Sequence, residues 1–245
     1  MKKIFIVFLG ALAFTINAQA QKKSGAIQYE TVIDPAAMAE ASGITLNEQM
    51  KARMPKSIKA NYELLYNASN ASYMAVTDTE DSNSGGGQGR MMMRMGGFAG
   101  VGKEYFYTFA DQKMVEVSTL LDTVYAVPGK LDVSVLAPAM GRNNAQSNSA
   151  VQFLPGEPTI EIIKSDETKK ILNLECKKVV IKTIRKATVL GMEKDVIDET
   201  TLWYTTDLGF NFSPEPNLWT EGTVLAIEKR GGGTAAKSIE YRNVS

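Results

Sequence analysis

The sequence predicts a mainly β protein, in which a curved antiparallel sheet, or half-barrel, is covered on its concave face by a short helical segment near the amino end. Three observations support this prediction. Segments with the period-two pattern of strands occupy most of the chain, whereas a helical period occurs only once. From Lys103 onward, short strand-like runs follow one another across tight turns. Consecutive short strands with no helices between them favour an antiparallel meander over a parallel α/β sheet.

Three segments before residue 78 predict the first strands. Residues 25–34 carry apolar or aromatic side chains at alternate positions and end at an Asp-Pro pair. Residues 58–67 alternate in the same way. Residues 72–77 follow them across a short Asn-containing turn, as the partner strand of a hairpin would.

The helical period lies within residues 36–54. It combines capping-box spacing at the amino end with a single apolar stripe, and Pro55 ends it. We expect one short helix whose stripe packs on the sheet rather than on a partner protein. The capping-box residues are Thr45 and Glu48, and the stripe residues are Leu46, Met50 and Met54.

From Lys103 to the carboxyl end the sequence predicts ten more strands. Each is rich in β-branched and aromatic residues, and Gly, Pro, Asn or Asp marks most of the breaks. The predicted strands are residues 104–109, 113–119, 122–127, 130–136, 159–164, 168–173, 175–186, 196–206, 222–229 and 236–243.

The first twenty residues have the features of a cleavable signal peptide. Two lysines precede an apolar stretch over residues 4–16, and Ala18 and Ala20 are the small residues that signal peptidase accepts. We expect cleavage after Ala20, a single β-rich domain over residues 21–245, and a location in the periplasm or outside the cell. No stretch reaches the roughly 18 apolar residues of a membrane span, so we expect no transmembrane segment.

Charge and composition argue against several classes of function. The chain has 27 basic and 27 acidic residues, and loss of the two signal-peptide lysines leaves a formal net charge of −2. This balance offers no basic surface for nucleic acid. The sequence has no histidine, which excludes Ser-His-Asp catalysis and His-containing zinc sites. Carboxylate chemistry remains open, but neighbouring acids such as Asp166 and Glu167 lie in a predicted turn and are better explained by solvation. We therefore expect neither an enzyme nor a bound cofactor.

The only cysteine, Cys176, lies in a predicted strand, so the chain cannot form an intramolecular disulfide. We expect a buried and inert thiol, because free cysteine is among the most buried residue types. The alternative is a reactive thiol, whose pKa Lys177 and Lys178 would have to lower.

A Gly-rich and Met-rich stretch over residues 78–102 predicts a flexible loop. Thioethers are soft ligands, so clustered methionines on an exported loop suggest Cu(I) binding. Methionine is also an adaptable filler of apolar surfaces, which leaves an apolar loop, or a loop that covers a hydrophobic ligand, as alternatives. The candidate copper ligands are Met91, Met92, Met93 and Met95.

Three segments in the same order along the chain carry a family resemblance. Residues 24–30 contain the pattern Gly-x-Ile-x-Tyr, Lys170-Ile171 is followed by a Cys-Lys-Lys run at 176–178, and residues 203–205 read Trp-Tyr-Thr. These segments resemble the GLPGLI family, which comprises exported proteins, mostly of Bacteroidota, named after a carboxyl-terminal hexapeptide. At that hexapeptide this chain has residues 219–224, in which only Gly222 matches.

The run Trp-Tyr-Thr-Thr-Asp-Leu-Gly at residues 203–209 also resembles a wider group of envelope proteins with a lipoprotein-carrier (LolA-like) half-barrel. The chain is thus similar either to a divergent GLPGLI protein or to a relative within that group. Both resemblances imply a curved antiparallel sheet with a covering helix, and neither implies a catalytic residue.

Together these observations predict an exported, non-enzymatic envelope protein that binds a hydrophobic small molecule or an envelope protein on the concave face of its sheet. Such sites are largely apolar with few polar groups. The same aromatic residues would otherwise be ordinary core. The alternative function is copper handling through the Met-rich loop. The candidate ligand-binding residues are Tyr29, Tyr62, Tyr66, Phe106, Trp203 and Phe210.

Overall fold

The computed structural model describes residues 24–41, 46–76, 103–120, 123–134, 151–189 and 191–242. These residues form a mainly β architecture with one large antiparallel sheet, as the sequence predicts, and two short helices where it predicts one. The predicted signal peptide over 1–20 lies outside the described residues. The Gly/Met-rich loop at 78–102, with the candidate ligands Met91, Met92, Met93 and Met95, also lies outside them.

The described elements are twelve strands and two helices. The strands are β1 (Gly25–Ile33), β2 (Ile58–Tyr66), β3 (Asn70–Val76), β4 (Lys103–Thr108), β5 (Lys113–Leu120), β6 (Thr123–Gly129), β7 (Val151–Phe153), β8 (Thr159–Ile171), β9 (Leu174–Val189), β10 (Met192–Thr205), β11 (Thr223–Lys229) and β12 (Gly232–Tyr241). The helices are α1 (Pro35–Ala41) and α2 (Glu48–Arg53).

The sheet is curved and open, with the order β6-β5-β4-β3-β2-β1-β12-β11-β10-β9-β7. β8 also pairs with β9, along the part of that strand that β7 leaves uncovered. Every strand pair is antiparallel, and most pairs are neighbours in sequence, which confirms the predicted meander. The exceptions are β7, which pairs with β9, and β1, which lies between β2 and the carboxyl-terminal strand β12. The two ends of the described chain therefore meet in the middle of the sheet.

Three strand predictions differ from the structure. The strands predicted at 159–164 and 168–173 are one strand, β8, interrupted by a register shift between Ser165 and Thr168. The strand predicted at 130–136 is reduced to an isolated bridge between Val133 and Leu218. The short strand β7 was not predicted, because three residues are too few to show a period.

The core-bearing face of the sheet carries a cluster of tyrosines. Tyr29 on β1 lies opposite Tyr62 on β2, and Tyr73 on β3 lies opposite Tyr105 on β4. The rings of Tyr62 and Tyr73 stack with centroids 5.2 Å apart. Alternation along neighbouring strands puts these side chains on one face, where their rings bury a large apolar area.

The connection between β10 and β11, residues 206–222, covers this face. Its residue Phe212 is fully buried, with its ring centroid 5.3 Å from Tyr73 and 5.3 Å from Tyr107. The hydroxyl of Tyr107 donates a hydrogen bond to the carbonyl of Ser213 at 3.2 Å, and the Tyr29 hydroxyl donates to Val224 at 3.0 Å. The hydrogen bond from Tyr107 thus holds the connection against the sheet, and the one from Tyr29 ties β1 to β11, just after the connection ends.

The apolar stripe predicted for the helical segment does not enter the core on the tyrosine-bearing face of the sheet. The segment forms two separate helices, and α2 begins after Asn47, whose side chain accepts a hydrogen bond from the Met50 backbone at 2.8 Å. Asn47 therefore caps α2 in place of the predicted Thr45, which lies outside the described residues. No residue of α2 is buried, Met50 is 47% exposed, and neither core cluster contains a helical residue. A helix of six residues presents less than two turns of stripe, and the 206–222 connection already fills this face.

A second apolar cluster lies farther along the sheet. Side chains of β9, β10 and β11 pack there with Leu218 and Trp219 of the connection. Gly222 ends the connection with φ at +60°, and a Cβ atom there would lie 2.5 Å from the Thr205 carbonyl oxygen. Only glycine fits at this position without displacing the backbone of β10.

In the part of the chain that the structure describes, no helix has the length and apolar character needed to cross a membrane.

Candidate functional site

The six candidate ligand-binding residues divide into two groups. Tyr29, Tyr62 and Trp203 lie in the interior and are each less than 5% exposed. The other three lie near the end of the sheet where β1 begins and β12 ends: Tyr66, Phe106 and Phe210. The structure therefore does not bring the six residues together into one site.

The interior residues contact protein atoms. Tyr29 packs edge-on against Tyr73 at 5.8 Å, and burial raises its pKa well above the ordinary tyrosine value. Burial raises the pKa of Tyr62 as well. The Nζ atom of Lys169 lies 4.0 Å from the centroid of the Trp203 ring and also donates a hydrogen bond to the Glu228 carboxylate at 2.6 Å. These contacts are typical of structural residues.

Two residues of the other group, Tyr66 and Phe106, border a groove of about 420 Å³, here named the Tyr66 groove, whereas Phe210 does not line it. One wall is a row across neighbouring strands, in which Leu65 on β2, Ser72 on β3 and Phe106 on β4 lie opposite one another. Phe106 is 42% exposed, so its ring presents an apolar surface to solvent. The groove is defined by Gly25, Leu65, Tyr66, Ser72, Phe106 and Arg242.

Tyr66 borders the groove at the end of β2, but strand alternation turns its ring to the tyrosine face, opposite to Leu65 and Phe106. It is 5% exposed, and its hydroxyl has no hydrogen-bond partner among the described residues. The hydroxyl lies against Gly25, where an added Cβ atom would be 2.7 Å from the oxygen. Burial raises the pKa of Tyr66 to about 12, so the hydroxyl is protonated at neutral pH.

The ring of Tyr66 also joins the groove to a second cavity. It packs against Phe210 with centroids 4.7 Å apart, and Phe210 stacks on Phe109 at 4.9 Å. Phe109, Phe210 and Leu131 line a cavity of about 120 Å³. The pair of Tyr66 and Phe210 thus separates a small cavity from the larger groove.

Arg242 supplies the charge at the groove. Its backbone N–H donates to the Ser24 carbonyl at 2.9 Å, and the Ser24 hydroxyl donates back to the Arg242 carbonyl, which fixes the residue beside the start of β1. Its guanidinium lies 3.9 Å from the Glu240 carboxylate, with both side chains well exposed. Such a pair has little strength, so the guanidinium retains donors for another acceptor.

The predicted burial of Cys176 is confirmed. The side chain is fully buried, and its Sγ donates a weak hydrogen bond to the Leu174 carbonyl at 3.7 Å. Burial raises the pKa of the thiol to about 11, and the nearby Lys169 charge only partly opposes this. Among the described residues, no group of three or more Cys, Asp or Glu side chains is placed to hold a metal ion.

The sequence reasoning missed Arg242 and Leu65. Leu65 lies on β2 at a position that alternation assigns away from the tyrosine face. Arg242 directly follows β12, and a charged residue at a strand end is ordinarily read as solvated. Strand alternation could have identified the two apolar wall residues. Leu65 precedes Tyr66, and Phe106 lies between Tyr105 and Tyr107. Adjacent strand residues point to opposite faces, so an apolar residue between core tyrosines marks an apolar outer surface.

The comparisons with known proteins show a distant structural likeness. No protein-family model matches the sequence, and no curated protein matches it. Two solved structures of PNGF-II, in space groups C2 and P21, are similar to 91% of this chain at 13% sequence identity, with TM-scores of 0.48 and 0.46. The chain spans only 28% and 29% of those two chains.

Proposed function

We propose that this chain is an exported, non-enzymatic protein of the cell envelope that binds a hydrophobic ligand in the Tyr66 groove. The observation that carries the proposal is the groove itself, with the half-exposed ring of Phe106 on its wall. Its volume of about 420 Å³ lies within the range of about 300–1,000 Å³ common to small-molecule sites. When a ligand covers apolar surface that was in contact with water, the free energy of the complex falls.

The groove is a better location than the concave face. Phe212 packs on the tyrosine-bearing face, where the core lies, and contacts Tyr29, Tyr73 and Tyr107. A ligand there would have to displace the whole connection over residues 206–222 and break the hydrogen bond from Tyr107 to Ser213. Binding in the groove requires no such rearrangement.

The proposal includes export by the signal peptide at 1–20 and divergent membership of the GLPGLI family or of the LolA-like group. Two glycines of the resembling segments support it, because each lies where a side chain would collide. A Cβ atom on Gly25 would lie 2.1 Å from the Glu240 carbonyl oxygen, and one on Gly222 would lie 2.5 Å from that of Thr205.

The absence of an activity is part of the proposal. The one thiol is buried, and burial raises its pKa to about 11, so it is a poor nucleophile at neutral pH. The carboxylate of Glu221 pairs with Lys164 at 3.1 Å, and this hydrogen bond lowers the pKa of Glu221. Acids paired in this way are stabilised in their charged form rather than poised to donate protons.

The test is titration of residues 21–245 with the uncharged fluorophore N-phenyl-1-naphthylamine. We expect one molecule per chain, with about tenfold weaker binding in Phe106→Ala because the largest apolar wall is lost. The matched control is Val124→Ala on β6, which removes a side chain that is 64% exposed and outside the groove. No uptake of the fluorophore, or equal affinities of Phe106→Ala and Val124→Ala, would overturn the proposal.

A further inference from the structure

We propose that two copies of this chain pair edge to edge through β6, which joins their sheets across a two-fold axis into a homodimer. Three observations on the described residues support this pairing. β6 is a free edge, it lacks the features that protect the opposite edge of the sheet, and it is complementary to a second copy of itself. The pairing is independent of ligand binding in the Tyr66 groove.

β6 forms one end of the sheet. Among the described strands it pairs only with β5, so its other side has no strand partner there. All seven residues of β6 are exposed and none is charged. Val124 is 64% exposed, Tyr125 is 48% exposed and Val127 is 53% exposed. A free edge with exposed apolar side chains and no charge is a template for pairing with another strand.

The opposite edge of the sheet has the usual protections against such pairing. It is formed by β7, which is three residues long, and by β8, in which six of thirteen residues are charged. A register shift between Ser165 and Thr168 also interrupts β8. Short strands, charged side chains and bulges all hinder association between edges. We therefore assign the association to β6.

Pro128 indicates which backbone groups of β6 point outward. Proline has no N–H group, so in a paired strand its nitrogen faces away from the neighbouring strand. Alternate residues direct their N–H and C=O groups to the same side, so Val124 and Ala126 face outward with Pro128. When two β6 strands pair in antiparallel orientation, Val124 can lie opposite Ala126 of the partner subunit. Residues opposed in this way exchange both of their N–H···O=C bonds, so this register satisfies both outward donors of each β6.

The side chains of β6 fit the same register. Tyr125 lies on the two-fold axis, opposite Tyr125 of the partner subunit, and Thr123 lies opposite Val127 of the partner subunit. Aromatic pairs across two strands are favourable, whereas opposed like charges are not. Because β6 has no charged residue, the symmetric pairing brings no like charges together within the two strands.

The surface next to β6 extends the apolar contact. Phe106 on β4 lies opposite Val115 on β5, which in turn lies opposite Pro128 on β6. Phe106 is 42% exposed and Val115 is 37% exposed, and edge-to-edge pairing places this row and its copy on the same face of the joined sheet. Stable interfaces bury about 1,200–2,000 Å² in total, which is more than one strand edge about 23 Å long supplies. We therefore expect a reversible dimer.

Sedimentation equilibrium of residues 21–245 over a range of protein concentrations measures the association. We expect a monomer–dimer equilibrium with a dissociation constant between about 1 μM and 1 mM. Val124→Lys puts a charge on the free edge and should weaken dimerisation at least about tenfold. Ile197→Lys on β10 is the matched control, because Ile197 is 56% exposed and lies outside β6, and it should leave the dissociation constant within about twofold.

Cysteine substitutions on β6 test the register. Two copies of residue 125 that lie opposite each other have Cα atoms about 4.5 Å apart, within the range of a disulfide. We expect Tyr125→Cys to form an interchain disulfide in a glutathione redox buffer. Val127→Cys on the same strand should stay reduced, because Val127 lies opposite Thr123 of the partner subunit. The native thiol of Cys176 is buried and should not interfere.

Three results would each overturn the inference. One is a monomeric mass at every concentration up to about 1 mM, which would leave β6 without a second copy as its partner. Another is equal dimerisation of Val124→Lys and Ile197→Lys, which would place the interface elsewhere. The third is equal cross-linking of Tyr125→Cys and Val127→Cys, which would indicate random collision rather than a defined pairing of β6.

Discussion

The ring of Phe210 packs against the ring of Tyr66, with centroids 4.7 Å apart, and joins the covering connection to the end of β2. Phe210 precedes Phe212 by two residues, and Phe212 lies within the tyrosine cluster. The connection that closes the core therefore also packs against Tyr66, which borders the Tyr66 groove. Because this one connection contacts both the core and Tyr66, we expect the stability of the core and the shape of the groove to be coupled.

Phe212→Ala should cost about 3–5 kcal/mol of unfolding free energy, because the ring is fully buried among Tyr29, Tyr73 and Tyr107 and its loss leaves a cavity. Urea denaturation followed by circular dichroism measures the change. Phe153→Ala is the control, since this ring is 37% exposed and should cost about 1 kcal/mol or less. Similar losses in the two variants would mean that Phe212 does not hold the connection on the sheet.

The stability of the protein should fall as the pH rises above about 10. Burial raises the pKa of Tyr29, Tyr73 and Tyr107 well above the ordinary value, so folding favours their neutral forms. The unfolded chain ionises near pH 10, whereas the folded chain does not. This contribution is therefore fully present below pH 10 and is lost progressively at higher pH.

Urea midpoints between pH 8 and pH 12, with tyrosinate absorbance recorded in parallel, measure this dependence. Tyr73→Phe should make the decline less steep, because one buried phenol no longer titrates. Tyr125→Phe is the control, since Tyr125 is 48% exposed on the edge strand β6. A decline that is unchanged in Tyr73→Phe would show that the buried tyrosines do not cause it.

Local patterns were sufficient to place most strands. The predicted strand at 25–34 corresponds to β1, and the predicted strand at 113–119 corresponds to β5, because period-two alternation is visible within each segment. The prediction of a strand at 130–136 is wrong, and β7 was missed, because alternation within these segments does not decide whether they pair. Whether such short segments pair depends on distant partners, Leu218 for Val133 and the end of β9 for β7, and nothing local encodes that.

Which segment covers the sheet and where the groove lies both depend on long-range packing, so neither could be predicted from local patterns. The stripe of Leu46, Met50 and Met54 indicated a buried helix, but amphipathicity does not say which segment reaches the core first. Phe212 lies in a run with Ser213 and Pro214 that reads as a loop, so its role as the cover could not be predicted. Tyr66 and Phe106 could be chosen as candidates because they are aromatic. The contact between Tyr66 and Gly25 could not, because it depends on the pairing of β1 with β2.

Gly25→Ala should destabilise the fold by more than about 2 kcal/mol, since the new Cβ atom would lie 2.1 Å from the Glu240 carbonyl oxygen and 2.7 Å from the Tyr66 hydroxyl. Thermal unfolding gives the loss, and fluorophore titration gives the expected loss of groove binding. Gly191→Ala is the control, because it meets no atom within 4 Å and adds only the strain of a φ of +79°. A Gly25→Ala variant as stable as Gly191→Ala would contradict the close contact at the start of β1.

The thiol of Cys176 should resist modification in the folded protein. It is fully buried, and its pKa is raised to about 11, so little thiolate forms at pH 8. A disulfide reagent such as dithionitrobenzoate should react with native protein only at the rate of unfolding, and completely in denaturant. Rapid reaction of the native protein would show that this end of β9 opens to solvent.

Deletion of residues 85–100 should leave ligand binding in the Tyr66 groove within twofold of the intact chain, because all the residues that define the groove lie outside the deleted segment. Fluorophore titration of the deletion variant measures this. The same variant tests the copper alternative. If Met91, Met92, Met93 and Met95 bind Cu(I), the intact chain competes with a bicinchoninate chelator and the variant does not. Loss of groove binding in the variant would instead mean that the Met-rich segment covers the ligand, and the groove would then be only part of the site.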